Sequence, residues 1–115
     1  MSPGRKRMVQ LAGLRQRAWN SMRYLGRFEL GQLVATSGLD YENSQEYVRR
    51  LTGAGFLRLE RPAWGNRPAV WRLVRNSGPA APRAKERQGR WYVLDPNDQR
   101  IYGDNGEPVE GGGEA

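Results

Sequence analysis

Apolar residues recur through the first half of the chain at the three- and four-residue spacings of an amphipathic helix. Further on they recur at the two-residue spacing of a strand. Leu11, Leu14, Ala18, Met22 and Leu25 make one stripe and predict a helix over 11–26, with Trp19 at its border and Gly26 at its end. Phe28 enters the core from a short extended piece. Leu30, Leu33 and Val34 predict a second helix over 30–37. Ser37-Gly38-Leu39-Asp40 is a tight turn, in which Gly38 takes positive φ, Leu39 plugs the corner and Asp40 caps the next helix. In that third helix Ser44, Val48 and Leu51 share one face, and Gly55 closes it. A short helix with so narrow a stripe needs the other two packed behind it.

Leu57-Arg58-Leu59-Glu60-Arg61 alternates as a strand does, and Ala69 to Val74 is a second strand. The loop 62–68 joins them into a hairpin, with Leu57 and Leu59 on one face and Arg58 and Glu60 on the other. Residues 75–90 are polar, Pro-containing and aperiodic, and read as a basic linker. Trp91 to Leu94 and Arg100 to Tyr102 flank the turn Asp95-Pro96-Asn97-Asp98 and predict a second small hairpin over 91–102. Alone it is marginal, so it is expected to pack on the first helix or on a second copy of the chain, as a homodimer contact. Residues 1–10 read as a flexible basic arm and 103–115 as a disordered, acidic, Gly-rich tail.

Composition removes several classes of function. The chain has neither Cys nor His. That leaves no disulfide framework, no thiolate metal site and no usual general base. The carboxylates of the region 11–74 are Glu29, Asp40, Glu42, Glu46 and Glu60, of which Asp40 is explained by capping. Asp95, Asp98, Asp104 and Glu107 fall at spacings that fit no calcium loop. The reading is therefore non-enzymatic, with no cofactor and no metal. No apolar run is long enough to span a membrane, and the N-terminal stretch is too short and interrupted for a signal peptide, so the expectation is cytoplasmic.

Charge points to a polyanionic partner. The net charge is +7, and residues 1–75 hold 14 of the 19 Lys+Arg but only 5 of the 12 Asp+Glu. Seventeen of those cations are Arg, whose planar fork suits phosphate, although a GC-rich genome enriches Arg for codon reasons too.

The stretch LVATSGLDYENSQEYVRRLTGAGFLRLER resembles the helix-turn-helix of the winged-helix superfamily of bacterial and phage regulators. The features that carry the resemblance are Gly38-Leu39, the cap Asp40, the pair Val48 and Leu51, the corner Gly55 and the strand after it. It covers roughly 14–74 and implies an α+β fold of three helices and a β-hairpin wing, here with a C-terminal hairpin added. More loosely, the whole chain is similar to small winged-helix proteins of Mu-like transposable phages.

The resemblance implies double-stranded DNA as partner, a role in transcription regulation, and a third helix lying in the major groove. Tyr41, Glu42, Gln45, Glu46 and Arg49 then face outward toward base edges with Asn43 beside them, Arg50 faces phosphate, and Arg67 at the loop tip reaches the minor groove or a phosphate. Arg58, Arg61, Arg72 and Arg75 add charge to the hairpin. Pro68-Ala69-Val70-Trp71 is similar to the wing of Z-form DNA binders. The third helix departs from theirs, with Gln45 and Arg49 where they carry Asn and Tyr. Glu42 and Glu46 oppose phosphate unless Arg49 or Arg50 neutralises Glu46. Those two acids, the loop residue Trp64 and the acidic tail motivate the alternative, a protein-interaction module that modulates or inhibits a host or phage protein through the same surface.

Overall fold

The computed structural model describes residues 3–104, with side chains from Gln10 onward. The chain is α+β, with three helices and two small antiparallel sheets of three strands each. The helices are α1 (Pro3–Leu25), α2 (Leu30–Ser37) and α3 (Tyr41–Gly53). Strands β1 (Arg27–Glu29), β2 (Leu57–Arg61) and β3 (Val70–Leu73) form the first sheet in the order β1-β3-β2. Strands β4 (Arg83–Arg87), β5 (Arg90–Asp95) and β6 (Arg100–Gly103) form the second, in chain order.

The three helices lie where the apolar spacing puts them, with one extension. Residues 3–10, read as a flexible arm, continue α1 back to Pro3. Proline is well suited to a first helical position because its missing N–H would be unpaired there anyway. Residues 1–2 and 105–115, the ends of the predicted arm and tail, lie outside the described residues.

Local chemistry sets the helix ends. Gln32 Oε1 accepts from the Glu29 N–H at 2.8 Å ahead of α2, and Asp40 Oδ1 accepts from the Asn43 N–H at 3.2 Å at the start of α3. After α3 the Phe56 N–H bonds the Leu51 carbonyl and the Gly55 N–H bonds that of Thr52, with Gly55 at φ 87°. This six-to-one and five-to-two pairing is a Schellman closure, and it turns Phe56 into the core.

One core serves both sheets. Trp19, Met22, Phe28, Leu33, Leu39, Tyr47, Val48, Leu51 and Phe56 are fully buried, and Val93 and Tyr102 of the second sheet join them. Phe56 lies edge-on between Trp19 and Tyr102, at ring separations of 6.1 and 5.4 Å. Trp19 is wholly buried rather than bordering the stripe. Its indole N–H has a partner across the core, the Gly78 carbonyl at 2.9 Å.

The region 75–90 is not a linker. Residues 76–82 form a strap whose backbone is bonded by side chains from three directions. From α1, Gln16 donates to the Pro79 carbonyl and accepts from the Ala81 N–H, Trp19 donates to Gly78, and Arg23 donates to Asn76 Oδ1. From α3, the Tyr47 hydroxyl donates to the Pro82 carbonyl at 2.7 Å. From the β5–β6 turn, Asn97 accepts from the Ala80 N–H and donates to its carbonyl. No periodicity marks such a segment, because its hydrogen bonds go to side chains rather than to a ladder. Residues 83–87 are then strand β4, so the expected hairpin over 91–102 is the β5–β6 part of a three-stranded sheet.

The second sheet docks on α3 of its own chain. Ala84, Val93 and Tyr102 stand in register on one face and meet the core, while Arg50 stacks on the Trp91 ring at 3.7 Å. The first helix was the expected platform, with a homodimer contact as the alternative. The inner apolar residues that motivated the dimer are consumed within the chain.

The first sheet also differs in detail. Its third strand, β1, pairs with β3 and brings Phe28 against Trp71 at 6.4 Å. A bulge between Leu59 and Arg61 breaks the alternation expected of β2, and Leu59 is 44% exposed.

Candidate functional site

Helix α3 holds Tyr41, Glu42, Asn43, Gln45, Arg49 and Arg50, and the tip of the β2–β3 loop holds Arg67. Capping fixes the start of α3. Asn43 is bound to that cap, since its side chain also donates to Asp40 Oδ1 at 2.7 Å. Ser44 is buried, its hydroxyl donating to the Leu39 carbonyl, and Tyr47, Val48 and Leu51 are sealed in the core. Burial pushes the Tyr47 hydroxyl well above its ordinary range. What remains in solvent is Tyr41 (59% exposed), Glu42, Gln45 and Arg49.

The acids of α3 are unequal. Glu46 is held by Arg50 at 2.7 Å and by Arg49 at 3.5 Å, across the i+4 and i+3 spacings. Glu42 lies in the first helical turn, where the helix dipole favours a carboxylate. Arg50 is not directed outward as expected of a phosphate ligand. It is clamped between Glu46 and the Trp91 ring, with only 18% of its side chain accessible. Its i+4 pairing was legible in the sequence, but the tryptophan over it comes from a strand 41 positions on.

The loop tip is a rigid miniature hairpin. Trp64 and Arg67 exchange both backbone hydrogen bonds, at 2.9 and 2.8 Å, around Gly65 at φ 54°. Directly opposed residues share a face, so both side chains leave the same side of the tip. Trp64 is 82% exposed.

Most other arginines of the first sheet are already engaged. Arg27, Arg72 and Arg58 are aligned across β1, β3 and β2. Glu60, the extra residue of the bulge, reaches into that row and pairs with Arg27 and with Arg72. Hydrogen bonds from Arg27 and Arg72 hold its carboxyl below the ordinary value of 4.5. Arg61 donates to the Pro68 carbonyl and is 4.0 Å from Glu29. Arg75 is half-buried and lies over the rings of Tyr102 and Phe56, at 4.4 and 5.2 Å. Arg58 and Arg67 are exposed and form no ion pair among the described residues.

A shallow concavity lined by Arg17, Asn20, Tyr24, Leu25 and Thr36 lies between α1 and α2 and includes no residue of α3. Among the described residues no three acidic side chains are grouped as a metal site requires, and no helix is long and apolar enough to cross a membrane. The chain matches no protein-family model, and no match was found among curated proteins or solved structures.

Proposed function

We propose that the chain is a winged-helix DNA-binding protein, a phage or bacterial regulator, with α3 as the major-groove helix and the β2–β3 hairpin as the wing. The observation that carries this reading is the state of α3. One side is locked into the core and capped, Glu46 is neutralised chiefly by Arg50, and Tyr41, Gln45 and Arg49 are exposed to solvent. Gln45 has the donor and acceptor pair that matches adenine, and Arg49 the fork that matches guanine. Arg67 supplies a phosphate or minor-groove contact from the rigid tip. The absence of any His or Cys supports a binding role rather than catalysis.

The test is duplex retardation at low and moderate salt against random-sequence competitor, followed by site selection from a random pool. Gln45→Ala and Arg49→Ala are expected to change the selected sequence, each at about 1–3 kcal/mol for its base pair. Arg67→Ala is expected to weaken all duplexes alike. Equal losses on every sequence for all three variants would remove base readout.

One observation favours the alternative, a module that binds a host or phage protein. Trp64, Tyr24 and Tyr41 are large aromatic side chains left in solvent, and such residues anchor protein interfaces. A chain that retards no duplex even at low salt would transfer the function to that reading.

A further inference from the structure

The outer face of the second sheet carries cations that form no ion pair among the described residues. Its two faces are identified by register. Ala84, Val93 and Tyr102 are opposed across β4, β5 and β6 and point into the core. The residues between them therefore point outward: Arg83 opposite Leu94, Lys85 opposite Tyr92, and Arg87 opposite Arg90. All four cations are exposed, around a half-buried floor that includes Tyr92 and Leu94.

The strand carboxylates of this sheet, Glu86 and Asp95, have the inward parity of Trp91 and Val93. Among the described residues, every ion pair lies on the first sheet or on α3. Arg87 and Arg90 are moreover like charges directly opposed, an arrangement that destabilises a hairpin. The turn between them, Gln88-Gly89, has positive φ at both positions, 53° and 76°, as a tight two-residue turn of type I′ requires. It holds the two guanidinium groups together. This end of the sheet sits beside α3, because the next pair along, Glu86 and Trp91, carries the ring on which Arg50 stacks.

We infer that the β4–β5 hairpin is a second phosphate-contacting element, in which Arg83, Lys85, Arg87 and Arg90 grip the backbone of the same duplex that α3 reads. The inference rests on the DNA-binding reading above. It supplies what α3 lacks, since the two glutamates of that helix balance its two arginines and leave no net attraction for phosphate. A phosphate backbone also relieves the repulsion between Arg87 and Arg90, which no ion pair among the described residues does.

The experiment is the salt dependence of duplex binding by the full chain. In the variant Arg83→Gln/Lys85→Gln/Arg87→Gln/Arg90→Gln the slope of log affinity against log salt is expected to fall by about 2 to 4, because each phosphate contact contributes roughly one. The selected sequence is expected to stay unchanged. The single variants Arg87→Gln and Arg90→Gln, at the exposed hairpin end, carry the same test with less risk to folding, each lowering the slope by about one. Arg17→Gln removes the same charge from α1 and is expected to leave the slope alone. An equal fall with Arg17→Gln would show a net-charge effect and overturn the inference. So would displacement of the duplex by polyglutamate as effectively as by an unrelated duplex of equal charge. Wild-type binding matched by the quadruple variant would overturn this inference and leave the DNA-binding reading standing. A wild-type chain that binds no duplex would overturn both.

Discussion

The two sheets have the same strand count and the same antiparallel pairing, and both are rich in arginine, yet their cations are in opposite states. In the first sheet Glu60 sits in the row of Arg27, Arg72 and Arg58 and pairs with Arg27 and Arg72, while Glu29 stands near Arg61. In the second, Arg83, Lys85, Arg87 and Arg90 share a face with no strand carboxylate. A net charge of +7 does not distinguish these cases. An arginine already bridged to a carboxylate has little attraction left for a distant anion. One opposed by a second arginine has a surplus. What matters for a polyanion is therefore where the acids fall in the register, and there the region read as a linker outweighs the hairpin read as a wing.

The sheets differ also in how they are attached, and the largest predicted effect tests that. Phe56 touches Trp19 on one side and Tyr102 on the other, so Phe56→Ala is expected to cost about 3–5 kcal/mol. Both sheets should then melt in one transition, monitored by calorimetry together with hydrogen exchange. Separate transitions would mean that the second sheet has its own stability.

Next in size is Asn97→Ala, which removes the bonds to Ala80, Ser77 and Asp95 that hold the strap. Leaving partly buried backbone groups unpaired is expected to cost about 2–3 kcal/mol. Faster exchange should appear in 76–82 and β4 before the first sheet is affected. Gly78→Ala should loosen the same place, because a Cβ there would lie 2.6 Å from Asn97 Oδ1.

Alkaline pH should weaken the docking of the second sheet as well. Burial and the bond to Asp98 raise the Tyr102 hydroxyl above its ordinary value of 10.0, and burial raises Tyr47 further. A raised folded-state value means that the unfolded chain releases its proton first. The contribution of these groups is thus complete below pH 10.0 and is lost as pH climbs through their folded-state values. Tyrosinate absorbance should rise together with loss of tertiary structure, and Tyr102→Phe should remove part of the effect.

The smallest effect sharpens the comparison of charges. Glu60→Gln frees Arg27 and Arg72, making the first sheet resemble the second. A small loss of stability is expected, with duplex binding tighter at low salt and its salt slope steeper by about one or two. Unchanged binding would show that this row faces away from the duplex. Conversely, the lowered value of Glu60 means that its pairing is present above pH 4.5 and is lost as pH falls below that.

The sequence alone determined the three helices, the Asp40 cap, the turn at Gly38, the closure at Gly55 and the pairing of β2 with β3. Asp40, Gly38 and Gly55 act through bonds to residues within five positions, and the stripe from Leu14 to Met22 repeats at the helical period, so neighbouring residues suffice to specify them. The exposure of Tyr41, Gln45 and Arg49 follows from the same periodicity. The alternation in Arg83-Ala84-Lys85-Glu86-Arg87 was also present, but polar residues on both sides of the single Ala84 hid it.

Only the tertiary structure decided that 76–82 is pinned, that Arg50 is stacked on Trp91, and that Val93 and Tyr102 of the last strands join the core. Each of these depends on a partner tens of residues away, as Trp19 and Gly78 or Tyr47 and Pro82 illustrate. Side-chain bonds to an irregular backbone leave no period behind, and the pairing of a charge is a property of register and approach rather than of composition.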